Sequence, residues 1–166
     1  MKGKFAVVGN AKALLLLMLL TFFGLANVSG DVANMSFARI GRGEYAIVGF
    51  NGTARGTLVI PSARNGLPVT RIESSAFSRH DIAEMIISDS ITFIGEWAFY
   101  GNRLASVVIP DGVTYIGANA FQSNYIESLI IGSGVTLIGS RAFMDNLLTC
   151  VVIPDSVANK RHMPFG

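Results

Sequence analysis

Apolar residues recur along this chain with a period of 22. Phe77, Phe99, Phe121 and Phe143 fall on one slot, Ile72, Ile94, Ile116 and Ile138 on a second, and Ile87, Ile109, Ile131 and Ile153 on a third. Three columns in one register, carried through four units, are the mark of a solenoid, in which each turn of chain stacks on the last. One such unit cannot bury its own Leu, Val, Ile and Phe. Stacked at about 4.8 Å per coil, the units align these residues into ladders and share one core.

The best-kept unit runs over residues 104–125, with neighbours at 82–103 and 126–147 and an irregular first unit that begins at Thr57. Within it, Ser106-Val107-Val108-Ile109 is β-branched and alternating, which favours a strand. Pro110 ends the strand, because proline cannot donate to a ladder, and Asp111-Gly112 is turn chemistry. Val113 to Ile116 is a second short strand. Gly95, Gly117 and Gly139 share the next slot, which predicts a backbone conformation that glycine takes cheaply. Residues 118–122 are expected to form one helical or 3-10 turn that drives Phe121 inward. Asn102, Asn124 and Asn146 close the coils, and His80 holds that slot in the first unit.

Residues outside the repeat read differently. Residues 36–40 and 44–48, joined by Gly41-Arg42-Gly43, predict a β-hairpin that covers the open end of the first coil, where an exposed sheet edge invites unwanted pairing. Before it, Lys2, Lys4 and Lys12 precede a 14-residue apolar run from Ala13 to Ala26. A basic start, a short apolar core and small residues after it predict a secretory signal peptide. Gly24-Leu25-Ala26 and Val28-Ser29-Gly30 both suit cleavage, and the run is shorter than the ~20 residues a spanning helix needs. After Val157 the pattern decays: Lys160 takes the Ile slot, Arg161 the Gly slot and Pro164 the Ala slot. Phe165 falls on the Phe slot and reads as a remnant. The expected organisation is a signal peptide over 1–30, a hairpin cap over 31–57, a solenoid of about four and a half repeats over 58–157, and a degenerate tail over 158–166.

The unit Leu104…Val107-x-Ile109-Pro110-x-x-Val113-x-x-Ile116-Gly117-x-x-Ala120-Phe121-x-x-Asn124 resembles the BspA-like leucine-rich repeat family of bacterial surface antigens. Tyr45 to Gly52, then Val59-Ile60-Pro61 and Gly66-Leu67-Pro68-Val69-Thr70, is similar to that family's opening unit. The resemblance covers residues 37–157. It implies a right-handed, mainly β leucine-rich-repeat solenoid with short helical or 3-10 turns, exported or on the cell surface. It also implies no enzymatic activity, and adhesion to host or neighbouring-cell protein as the role.

Charge and chemistry narrow the classes further. The chain has 13 basic and 11 acidic residues, and the first thirty residues hold three of the basic ones and none of the acidic ones. Once they are removed, no basic field remains to suit nucleic acid or an anionic membrane. His80 and His162 are the only histidines, and no His, Cys or carboxylate spacing suits a metal. No nucleophile elbow or phosphate loop occurs. Asp89, Asp111 and Asp155 share a slot, but beside Pro or Gly they are turn residues. No cofactor is expected. Cys150, the single cysteine, falls in an outward column with Glu84, Ser106 and Ser128, so an exported monomer has no internal disulfide.

Binding chemistry is therefore sought at the variable outward slots. Ile86, Val108, Ile130 and Val152 alternate with inward residues and form a candidate apolar stripe. Arg71, Phe93, Tyr115 and Leu137 form a second column, with Trp97 and Tyr100 on the turn nearby. Exposed aromatics can anchor an interface, so Phe93, Trp97, Tyr100 and Tyr115 are the second candidate group. The expected partners are a host-matrix or cell-surface protein or a glycan, with self-association through the open edge near residues 151–153 as a further expectation.

Overall fold

The computed structural model describes residues 32–53, 56–158 and 164–165. The expected signal peptide lies outside the described residues.

The chain forms eleven short strands among these residues: β1 (Met35–Ile40), β2 (Glu44–Phe50), β3 (Thr57–Val59), β4 (Ala63–Arg64), β5 (Leu67–Ile72), β6 (Glu84–Ile86), β7 (Phe93–Ile94), β8 (Ser106–Ile109), β9 (Tyr115–Ile116), β10 (Ser128–Ile131) and β11 (Leu137–Ile138). The second strands of successive coils build one long sheet, in the order β1-β2-β5-β7-β9-β11. The first strands build two shorter ones, β3 with β6 and β8 with β10. The parallel pairs sit in register with the sequence period: Phe93 lies beside Tyr115 and Ile94 beside Ile116, and Ser106 to Ile109 lie beside Ser128 to Ile131. The result is a β-solenoid with almost no helix.

The core follows from the ladders. Phe77, Phe99, Phe121 and Phe143 are fully buried or nearly so. Their rings stack in parallel at 5.2, 5.1 and 5.2 Å between centroids. Beside them, Asn102 and Asn124 are the buried polar side chains of the described core. Asn124 Nδ2 donates to the carbonyls of Phe99 and Phe121 at 3.0 Å each, and its Oδ1 accepts from Leu104 N. Asn102 and Asn146 repeat the arrangement one coil earlier and one coil later. Each amide thus bonds buried backbone groups of two adjacent coils, and the Phe99 and Phe121 carbonyls each accept from two asparagines. In the first unit His80 takes over: its Nδ1 bonds the Gly52 carbonyl at 3.0 Å and its ring packs edge-on against Phe50. A threonine ladder lines the long sheet as well, with Thr92, Thr114 and Thr136 each donating Oγ1 to the carbonyl of the threonine one coil before.

Three local readings change. The corner over residues 118–122 is not a helical or 3-10 turn. It is a pair of tight turns, closed by Ala120 N to Gly117 O and Gln122 N to Asn119 O. Asn119 and Ser123 there have φ of 56° and 57°, and their counterparts Ser75 and Arg79, Trp97 and Gly101, and Arg141 and Asp145 lie between 56° and 65°. Two left-handed residues four apart cannot continue a helix. They turn alternate amides outward, so that Asn119, Phe121 and Ser123 donate to the next coil. The glycine slot is also explained differently. Gly95, Gly117 and Gly139 do not lie in the left-handed region. A Cβ at Gly95 or Gly117 would come within 2.5 Å of a backbone nitrogen of the preceding coil, and one at Gly139 would meet Ala118 N. Glycine is there for close approach between coils. Thirdly, Phe165 is no remnant: it stacks on Phe143 at 5.5 Å, and Phe143 N donates to Pro164 O. The Phe column continues although the slots between have lost the pattern.

At the other end, β1 and β2 pair antiparallel with a bulge between Ser36 and Phe37, and β2 runs parallel to β5. The hairpin therefore adds the first two strands of the long sheet. Residues 62–67, an insertion in the repeat, form a second hairpin between β4 and β5. Asn65 and Gly66, both at positive φ, make its turn, as a two-residue Asn-Gly turn requires.

Candidate functional site

Two surfaces carry the outward residues. The first is the sheet of β8 and β10. Alternation buries Val107 and Ile109 at 2% and 1% exposure and turns Val108 out at 51%. Ile130 pairs with Val108 in register and is 39% exposed, and Val152, one coil further, is 80% exposed. Ile86 departs from the expectation. It is half-buried, its strand β6 pairs with β3 rather than β8, and its register partner is Val59. The exposed column thus begins at Val108. Beside it run Ser106, Ser128 and Cys150, all exposed. Glu84 heads that column, with its Oε2 accepting from Thr57 Oγ1 at 2.7 Å. From Ser106 onward, both outward columns are uncharged.

The second surface lies on the long sheet and its corner, and here the four aromatic candidates separate into two pairs. Phe93 and Tyr115, register partners on β7 and β9, stack face to face at 4.8 Å and 4°. The Arg71 guanidinium covers Phe93 at 3.7 Å and is itself held by Glu73 at 2.8 Å. Both rings are half-buried. Their faces are largely spent on one another and on Arg71, so this pair acts first as an inter-coil clamp. Trp97 and Tyr100 meet edge to face at 4.9 Å and 73° on the corner, with Arg79 5.2 Å from the Tyr100 ring. Trp97 is 39% exposed. Among the described residues no ring contact joins the two pairs.

Two exposed groups escape a reading based on strand alternation. Tyr125 and Leu147 are 57% and 52% exposed. They follow Asn124 and Asn146 in a column with Asp81 and Arg103, which form a loose ion pair at 3.8 Å. The signal was present in the period but falls outside any strand. The aspartate row does structural work: Asp111 Oδ1 accepts from the backbone and hydroxyl of Ser133, one coil on. Among the described residues no group of three His, Cys, Asp or Glu could hold a metal ion, and no helix is long and apolar enough to cross a membrane.

Parallel ladders, a stacked Phe column and a buried Asn row define a leucine-rich-repeat solenoid, a class of generally non-catalytic modules for protein interaction. The chain belongs to the BspA-type leucine-rich repeat family, whose model matches residues 50–165 in six copies. Among solved structures it is similar to a leucine-rich repeat protein of T. pallidum, with TM-score 0.70 and 27% identity over 75% of this chain. The match spans 60% of that protein's chain. A leucine-rich repeat protein from Bacteroides capillosus aligns with TM-score 0.47 and 23% identity over 76% of this chain and 82% of its own. No curated protein matches this chain significantly.

Proposed function

We propose that this chain is an exported, non-catalytic adhesion module that binds a host-matrix or neighbouring-cell protein at the cell surface. The observation that carries the reading is the outward column of Val108, Ile130 and Val152 at 51%, 39% and 80% exposure. These side chains are not needed by the core, which Val107, Ile109 and Ile131 already fill. A soluble fold gains nothing by exposing three β-branched residues in line, whereas an interface gains desolvated apolar area when a partner covers them. The small neighbours Ser106 and Ser128 leave the column accessible to a flat or extended partner. Export is supported by the basic-then-apolar start of the chain, and by the surface or secreted location typical of the family.

The test is binding of the full chain to immobilised extracellular-matrix proteins, read by surface plasmon resonance. Ile130→Glu should abolish any interaction found while leaving the melting temperature within a few degrees. Binding that survives both Ile130→Glu and Val108→Glu would remove the column from the function.

A second reading is self-assembly. It is favoured by the edge of β10, which among the described residues pairs with β8 alone, and by residues 151–153, which follow in register but form no strand. Sedimentation over a wide concentration range separates the two: a constant monomer mass leaves the adhesion reading standing alone.

A further inference from the structure

Trp97 occupies a place where tryptophan is a poor choice. Its φ is 60°, in the left-handed region that a bulky side chain enters only at a cost. The same slot holds Ser75, Asn119 and Arg141 in the other coils, at φ of 61°, 56° and 58°. Asparagine suits that conformation. The fold sets this backbone in every coil, so tryptophan carries a cost here that asparagine does not, and a costly residue of this kind points to a role beyond stability.

The surroundings suggest what that is. Ser75 on the coil before and Asn119 on the coil after have shorter side chains than the indole. It is 39% exposed, yet it is fixed in place by Tyr100, which meets it edge to face at 4.9 Å. The slots one coil on from Trp97 and Tyr100 hold Asn119 and Gln122. The Asn119 amide makes no side-chain hydrogen bond among the described residues. Gln122, one coil on from Tyr100, donates its Nε2 to Asp145 at 2.9 Å, and its amide oxygen accepts no hydrogen bond among the described residues. The Phe93–Tyr115 pair offers a contrast, since stacking and Arg71 occupy its faces, whereas on the corner Arg79 lies over Tyr100 and no cation covers the indole among the described residues.

We propose that Trp97 and Tyr100, with Asn119 and Gln122, form a carbohydrate-binding platform for a neutral pyranose ring, separate from the apolar column. One face of a pyranose presents several C–H bonds whose positive ends match the negative face of an indole. Its equatorial hydroxyls both donate and accept, which suits carboxamides at the rim. A rigid aromatic with few amide partners fixes a small polar ligand at low ordering cost.

Trp97 is the single tryptophan of the chain, so its emission reports on this corner alone. The full chain is titrated with cellobiose, chitobiose and N-acetyllactosamine. At least one should give a saturable change in tryptophan emission. The same sugars are then followed by saturation-transfer NMR with Trp97→Asn, which should lose the transfer and keep or raise the melting temperature. Gln122→Ala, which leaves the corner backbone unaltered, should weaken binding by about tenfold. The proposal is overturned by no saturable change with any of the three sugars, or by undiminished transfer in Trp97→Asn. It is equally overturned if emission responds to a digest of gelatin and to none of the sugars, which makes the corner a peptide site. Ile130→Glu should leave the sugar titration unchanged, so a failure here is distinguishable from a failure of the apolar column.

Discussion

Phe121 has a ring on each side of it, at 5.1 Å to Phe99 and 5.2 Å to Phe143, and no exposed surface. Truncation there removes the transfer free energy of a large side chain and opens a cavity that two fixed neighbours cannot close. Phe121→Ala should therefore cost about 3–5 kcal/mol, measured by chemical denaturation. Asn124 tests the polar side of the same coil. Its amide holds Leu104 N and the carbonyls of Phe99 and Phe121, all on backbone that water does not reach. Asn124→Leu keeps the branching, removes the side-chain partner of Leu104 N, and takes one of two asparagine donors from each carbonyl, since Asn102 still reaches Phe99 O and Asn146 still reaches Phe121 O. It should cost about 1–3 kcal/mol, the penalty of leaving one buried polar group unmade. An Asn124→Leu chain as stable as the parent would mean that these bonds are replaceable, and that the asparagine column is there for another reason.

Coils differ from their residues in what limits them. The spacing between adjacent coils is set by backbone contact at the glycine slot, where a Cβ on Gly117 would lie 2.5 Å from Glu96 N. Gly117→Ala should separate two coils and disturb the bond from Gly117 N to Ile94 O, at about 3 kcal/mol, the upper part of the range for overpacking. The first unit gives the control. Its slot holds Glu73, whose N bonds Ile47 O on the hairpin strand, so a side chain is tolerated where the preceding element is not a full coil. This slot also marks how far the sequence can be read. The ladders were legible because residue type repeats at their slots: Phe, Ile and Asn name their own burial. The glycines were legible as special and misread in cause, since close approach and left-handed backbone both select glycine. The corner geometry was not legible, because its left-handed slot holds Ser, Trp, Asn and Arg, which share no chemistry. The aromatic candidates were legible as a group, but only stacking geometry divides Phe93 and Tyr115 from Trp97 and Tyr100.

For the molecule as a whole, stability is a sum of coils and of the interfaces between them, with each coil held by its neighbours. A central coil has two interfaces, and a terminal one depends on whatever closes it. In this chain the last fully patterned coil, residues 126–147, is followed by a segment whose Ile, Gly and Ala slots have become Lys160, Arg161 and Pro164. Sequence alone leaves that coil open. The structure closes part of it, since Phe165 covers Phe143 at 5.5 Å and Pro164 O accepts from Phe143 N. Phe165 is half-buried where Phe121 is fully so, so Phe165→Ala should cost less, about 1–2 kcal/mol by the apolar area it covers. The effect should also be local. In native-state hydrogen exchange the Phe143 amide should lose protection, while the Phe99 and Phe121 amides, which donate to Ala120 and Ala142 within the patterned coils, should keep theirs. Equal loss at all three would mean that the solenoid opens as one unit. An unchanged Phe143 would mean that the last ring adds nothing to the stack.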